Sequence, residues 1–205
     1  MKNIAIILAS GSGSRFGSTK PKQFIRLAGK PVIQYSIEAF VRSTLIHEII
    51  IVTKPEFQED VFDIINLNNY KKSCKVISGG AERYDSTLSA LNSIKEHEAN
   101  LIIHDAVRPF ISQQIIRDCV LALEHANAVD VVVDATDTIV EVEDRYIQNI
   151  PDRRFLKRGQ TPQAFKKTIL EKAYKNFVND KEKIASDDCG IVLRYLPNEK
   201  IVTVS

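Results

Sequence analysis

Ile4–Phe24 reads IAIILASGSGSRFGSTKPKQF, and it divides into three parts with different physical meaning. Ile4 to Leu8 is an apolar run rich in β-branched residues, the composition of a buried strand. Gly11, Gly13 and Gly17 then make a loop in which backbone N–H groups can approach and wrap an anion. Arg15, Lys20 and Lys22 close it with positive charge. No Asp or Glu occurs before Glu38, whereas Lys2, Arg15, Lys20, Lys22, Arg26 and Lys30 all do, so this end of the chain makes a local positive field suited to a polyphosphate. Two familiar phosphate loops do not fit. A dinucleotide fingerprint needs a third glycine where Phe16 stands and an acid near the position of Ile33, and an NTPase loop needs Gly-Lys-Ser/Thr where Gly17-Ser18-Thr19-Lys20 runs in another order. What remains is Gly-x-Gly-x-Arg followed by Lys-Pro-Lys-Gln; the alternative is a glycine-rich surface turn with solvated lysines.

Outward from this stretch, apolar runs alternate with helical patterns. Pro31 can open a helix with Ile33, Ile37, Phe40 and Val41 on one face. His47–Thr53 predicts a strand, Thr53 and Glu56 have the spacing of a capping box, and Phe57, Val61, Ile64 and Ile65 supply the next helical stripe. Cys74–Ile77 is a third strand, Arg83 to about His97 a helix, Asn100–His104 a fourth strand, Ser112 the cap of a helix to about His125, and Val129–Val133 a fifth strand. Apolar strands separated by helices predict an α/β fold, a mainly parallel sheet with helices on both faces and ligands beyond the carboxyl ends of its strands. Residues 139–147 instead alternate with period two around Glu143-Asp144, a hairpin too small to hold its own core. A helix from about Lys166 to Phe177 and a strand Ile201–Val204 complete the pattern.

The chain of 205 residues, 44% hydrophobic, fits one domain spanning 1–205, with 137–160 as an arm within it. Its net charge of +2 gives no support for nucleic-acid binding, and no apolar stretch reaches the roughly 18 residues of a membrane span. Three scattered cysteines indicate neither a disulfide framework nor a zinc site, which points to the cytoplasm. Three further segments carry chemistry. Gly79-Gly80 leads into Ala81-Glu82-Arg83-Tyr84-Asp85-Ser86, where backbone can approach a flat ring and the Ser86 hydroxyl can meet a base edge; a plain helix start is the competing reading. His104-Asp105-Ala106-Val107-Arg108-Pro109-Phe110 puts an acid and a guanidinium three residues apart, suited to a metal-bound triphosphate and a phosphate clamp, or to a turn-holding ion pair. His104 itself reads as a packed, hydrogen-bonded histidine. Asp152-Arg153-Arg154 and Lys157-Arg158 flank the hairpin, either to meet phosphate on another subunit or as a solvated face.

Taken together and in order, these segments resemble the polyol-phosphate cytidylyltransferases, the 2-C-methyl-D-erythritol 4-phosphate enzymes and their ribitol-5-phosphate relatives, over Asn3–Ser205. The resemblance implies a Rossmann-like sheet of the nucleotide-diphospho-sugar transferase type with a protruding hairpin. It implies that Ala9, Ser10, Gly11, Ser12 and Gly13 cradle CTP, and that Arg15 and Lys22 stabilise charge on the α-phosphorus. Gly80 and Ser86 would read cytosine, with Asp105 and Ala106 by the ribose, and Asp105 also by a Mg²⁺ ion held mainly through the CTP phosphates. Arg108 and Thr161 fall where the family holds the polyol phosphate, while Thr138 and Arg153 correspond to arm residues that reach across a homodimer. The implied reaction joins CMP from CTP to a polyol phosphate and expels pyrophosphate. Ala81 stands where the family commonly has Asp, and the family's Asn-Ile-Lys-x-Thr segment beyond the last strand is absent, as expected of a truncated chain or of one part of a longer polypeptide. His-Asp-Ala-Val-Arg-Pro-Phe and Gly-Gln-Thr-Pro-Gln look closer to the ribitol type, so ribitol 5-phosphate is the expected acceptor. Methylerythritol phosphate is the alternative; a uridylyl- or guanylyltransferase and a catalytically silent nucleotide-binding domain are the rivals.

Overall fold

The computed structural model describes residues 1–11 and 21–205. The chain lays down β1 (Lys2–Ala9), the small hairpin β2 (Arg26–Leu27) and β3 (Lys30–Pro31), α1 (Val32–Arg42), β4 (Glu48–Thr53), α2 (Gln58–Asn68), β5 (Ser73–Ser78), α3 (Arg83–Ser93), β6 (Ala99–Asp105), α4 (Gln113–Ala122) and β7 (Ala128–Asp134). There follow β8 (Glu141–Glu143), β9 (Tyr146–Asn149), β10 (Lys157–Lys166), α5 (Lys167–Asn179), α6 (Asp188–Tyr195) and β11 (Ile201–Val204). The main sheet has seven strands in the order β11-β7-β10-β6-β1-β4-β5. Only β10 runs against its neighbours.

The opening run is apolar throughout because β1 is covered on both faces. Ala5, Ile7 and Ala9 point to a cluster with Ile33, Ile37 and Phe40 of α1, Val61 of α2 and Ile116 of α4. Ile4, Ile6 and Leu8 point to the other, with Leu91 of α3, Leu170 and Phe177 of α5 and Ile191 of α6. Side chains alternate across a strand, so one run of six residues builds both cores. The chain passes from β1 outward to β4 and β5 and then returns to place β6 on the opposite side of β1. The carboxyl ends of β1 and β6 therefore flank a topological switch point, where doubly wound sheets leave a crevice.

Several local expectations are corrected. Thr53 caps no helix. It is fully buried, its hydroxyl faces the Ala9 carbonyl at 3.4 Å, and a 3-10 turn at Pro55–Phe57 precedes α2. The helix expected to reach His97 stops at Ser93, whose hydroxyl bonds back to the Ala90 carbonyl at 2.9 Å while Ile94 turns extended. The central strand β10 was not expected, and Lys157–Gln160 belong to it rather than to the arm. The arm's hairpin, β8–β9, turns through Asp144 and Arg145 at φ of 48° and 73°, as a two-residue primed turn requires. All seven of its strand residues are exposed, and Val142, Tyr146 and Ile147 among them are large and apolar.

Candidate active site

A cavity of about 340 Å³ opens at the switch point, within the range of small-molecule sites. Leu8, Ala9, Ser10, Gly11, Lys22 and Gln23 form one wall, Ala81, Glu82, Arg83 and Ser86 a second, and Asp105 and Val107 a third. Three segments far apart in sequence thus meet because each follows a parallel strand on the same edge. Within the first wall, the buried Gln23 side chain donates to the carbonyls of Ala9 at 2.6 Å and Gly11 at 3.0 Å. It pins the start of the glycine loop to the 3-10 turn Lys22–Phe24 that carries Lys22. The second wall is the amino end of α3, where the Glu82 N–H donates to the Asp85 carboxylate at 3.0 Å. Gly79 before it has no room for a side chain, since a Cβ would overlap Ser10 Oγ and lie 2.6 Å from Ser86 Oγ. That glycine lets the first and second walls close on each other.

Of the residues expected to bind nucleotide, Ala9, Ser10, Gly11, Lys22, Ser86 and Asp105 line the cavity. Gly80 immediately precedes the lining residue Ala81. Ser12, Gly13 and Arg15 lie outside the described residues. Ala106 stands behind the wall: it is fully buried, its N–H donates to the Leu8 carbonyl at 2.9 Å, and its carbonyl accepts from Ser36 Oγ at 3.2 Å. Thr138 and Arg153 are on the arm, exposed and outside the lining.

Asp105 is held between two guanidinium groups. Arg83 Nε donates to Oδ1 at 3.2 Å, and Arg108 Nε faces Oδ2 at 3.5 Å. The ion pair raised as an alternative for Asp105 and Arg108 is thus present, though at the outer limit of a hydrogen bond. Arg108 Nη1 also donates to Gln160 Oε1 at 2.5 Å. Behind the wall, Arg83 Nη1 donates to the wholly buried Asp188 at 2.6 Å, and Tyr174 donates its hydroxyl to the other Asp188 oxygen at 2.6 Å. Burial works against the Arg83 charge, but the carboxylates of Asp188 and Asp105 more than offset it and hold its pKa above the ordinary value. Burial, reinforced by Asp188, pushes the Tyr174 hydroxyl up.

His104 is the packed histidine expected. Its Nε2 contacts the Arg108 carbonyl at 3.0 Å, so Nε2 carries the proton and Nδ1 accepts from Thr161 Oγ1 at 2.9 Å. Thr161 Oγ1 in turn accepts from the Asp105 N–H at 3.2 Å. The Thr161 hydroxyl proton is therefore already committed, and its role here is to clasp β10 to the end of β6. Burial pushes the imidazole down to about 4. Sequence reasoning missed Arg83, Asp188, Tyr174 and Gln160 as parts of this assembly. It also passed over Gln163, which donates to Asp130 and Asp187 while its oxygen faces the Asp188 and Cys189 N–H groups.

Among the described residues no group of three or more His, Cys, Asp or Glu side chains is placed to hold a metal. The lining holds two carboxylates, Glu82 and Asp105, and Asp105 at the end of β6 suits Mg²⁺, which keeps several waters and takes one or two carboxylates with the rest of its shell from substrate phosphates.

A mostly parallel sheet with helices on both faces, carrying a glycine-loop cavity at the switch point, is the architecture of nucleotide-diphospho-sugar transferases. The same fold appears in solved structures. A 4-diphosphocytidyl-2C-methyl-D-erythritol synthase from Anaerococcus prevotii superposes with a TM-score of 0.87 at 28% identity, covering 99% of this chain and 86% of that one. A bifunctional enzyme from Campylobacter jejuni gives a TM-score of 0.75 at 23% identity, covering 100% and 50%, a likeness of fold alone. The sequence profile of the 2-C-methyl-D-erythritol 4-phosphate cytidylyltransferase family (IspD) matches residues 3–203, and the chain belongs to that family. Relatives of both substrate types resemble it. A bifunctional ribulose 5-phosphate reductase/CDP-ribitol pyrophosphorylase of Haemophilus influenzae is 44% identical over all of this chain, which spans 44% of that relative's length. A 2-C-methyl-D-erythritol 4-phosphate cytidylyltransferase of Thermobifida fusca is 37% identical over 98% of this chain and 84% of its own, and a ribitol-5-phosphate cytidylyltransferase of Lactiplantibacillus plantarum is 37% identical over 91% and 83%.

Proposed function

We propose that the protein transfers CMP from CTP to D-ribitol 5-phosphate. A phosphate oxygen of the acceptor forms a bond to the α-phosphorus of CTP, the bond from that phosphorus to the bridging oxygen breaks, and pyrophosphate leaves with the electron pair. The nucleophile is already an anion, so no Ser, Cys or His nucleophile is needed. The observation that carries this reading is the convergence of the Ala9–Gly11 backbone, Lys22, Ser86 and Asp105 on one cavity at the carboxyl ends of β1 and β6. There the Ala9–Gly13 backbone would receive the triphosphate, Gly80 and Ser86 the base, and Lys22 and Arg15 the charge developing on the α-phosphorus. Asp105 and the CTP phosphates would hold Mg²⁺, which neutralises phosphate charge when bound. Arg108 would take the acceptor's phosphate, with Thr161 as the clasp beneath it. The exposed apolar residues of β8–β9 would be covered in a homodimer, bringing Thr138 and Arg153 to the neighbouring subunit's acceptor.

The ribitol assignment is supported by the Val107-containing His104–Phe110 segment and by the Haemophilus relative; the family profile and the Thermobifida relative favour methylerythritol phosphate as the second reading. Pyrophosphate release, measured with CTP, UTP, GTP and ATP against ribitol 5-phosphate and methylerythritol phosphate, separates them. We expect CTP with ribitol 5-phosphate to be fastest, and Lys22→Ala to slow the chemical step about 100-fold or more, the value of one preorganised charge at a transition state. Preference for a purine nucleotide would sink the cytidylyl assignment. Nucleotide binding without release from any pair would mark a silent domain.

A further inference from the structure

Arg108 is oriented by a residue to which neither the family resemblance nor the cavity lining assigns a role. Its guanidinium carries five N–H donors. One faces Asp105 at 3.5 Å, and another meets the Gln160 carboxamide oxygen at 2.5 Å. The short contact, not the long one, fixes the direction of the fork. Gln160 is well placed to hold it. Strand β10 shifts register against β7 between Gly159 and Gln163, and the next residue, Thr161, is clasped to His104 and Asp105. The guanidinium side chain stays 42% exposed.

We propose that Gln160 is the positioning residue for the acceptor-phosphate subsite, and that its neutrality is the functional property. An amide oxygen orients Arg108 without adding a second carboxylate to the long Asp105 contact at 3.5 Å, so the cation keeps charge to offer an incoming phosphate dianion. A carboxylate of the same shape would form an ion pair that the phosphate must break, and would also repel the phosphate. The proposal rests on the reading of Arg108 as the acceptor-phosphate ligand, and the experiment separates the two.

Ribitol 5-phosphate and inorganic phosphate are titrated calorimetrically into the protein and into Gln160→Leu, Gln160→Glu and Arg108→Ala, with CTP titrated separately as a control. Losing the orienting contact in Gln160→Leu should weaken ribitol 5-phosphate binding about tenfold, the effect of one charge-assisted hydrogen bond. Gln160→Glu, although isosteric, should weaken it more than Gln160→Leu, and CTP affinity should stay within about twofold in both. A merely structural role gives the reverse order, because Glu preserves the shape and Leu does not. If Arg108→Ala weakens ribitol 5-phosphate binding while Gln160→Glu binds as the unaltered protein does, the positioning role is wrong and the subsite reading stands. If Arg108→Ala has no effect, or the unaltered protein binds neither phosphate compound, the subsite reading itself falls and the proposal with it.

Discussion

Replacing Asp188 by alanine tests the buried charge network behind the cavity. Asp188 is fully inaccessible, accepts from Arg83 Nη1 and the Tyr174 hydroxyl at 2.6 Å each, and donates its own N–H to Gln163 Oε1 at 3.1 Å. Truncation leaves a mostly buried guanidinium with Asp105 as its remaining carboxylate and leaves the Tyr174 hydroxyl without an acceptor. Removing one partner of a buried ion pair costs about 3–5 kcal/mol. Arg83 keeps Asp105 at 3.2 Å, and its side chain is 28% exposed, so the lower end applies, about 3 kcal/mol. For a chain of this size that lowers Tm by roughly 6–12 °C. Asp188→Asn, which retains an oxygen for Tyr174 but not the charge, should lose about half as much. Urea unfolding followed by circular dichroism, with the thermal midpoint as a second measure, reads both. A loss below about 1 kcal/mol in Asp188→Ala would show that the network contributes little beyond its exposed fringe and would refute the reasoning.

Two further outcomes follow from the walls of the cavity. Gly79→Ala places a Cβ against Ser10 and Ser86, so it should destabilise by about 1–3 kcal/mol and weaken CTP binding together, as denaturant midpoint and titration would record. His104, pushed by burial from 6.5 down to about 4, is neutral when folded while the unfolded chain takes up a proton below about 6.5. Its contribution to stability is therefore full above pH 6.5, falls as pH drops toward 4, and is worth on the order of 3 kcal/mol. The ring resonances of His104 should accordingly show no titration between pH 7 and pH 5, and a midpoint near 6.5 would contradict its enclosure.

The parallel part of the fold was legible because its strands declare themselves. Ile4–Leu8 and Ile49–Val52 are apolar at every position, which only burial on both faces explains. The cavity walls were legible for a related reason: the loop after each such strand must lie on one edge. Strand β10 was not. Its sequence, KRGQTPQAFK, holds glycine, proline and two glutamines, and Ala164 and Phe165 are its members of the two hydrophobic clusters. Its middle is buried with a glutamine in it because Gln163 finds Asp130, Asp187 and two backbone N–H groups, partners that no local pattern discloses. The Arg83–Asp188–Tyr174 contacts join residues up to 105 positions apart and left no trace in spacing. Thr53-x-x-Glu56 misled because a hydroxyl buried in a sheet is as good at meeting a strand carbonyl as at capping a helix.

Because β6 and β7 follow each other in the chain but are separated in the sheet by β10, the two halves cannot zip together in the order of synthesis. A nascent polypeptide that has reached Asp134 presents two unsatisfied inner edges, each a template for stray pairing. Only the emergence of Lys157–Lys166 supplies the missing plank, and only then does Thr161 latch onto His104. The walls of the crevice, all drawn from residues up to Val107, are thus synthesised well before the clasp that braces them, and a fragment cut before that plank is expected to be sticky rather than merely inactive.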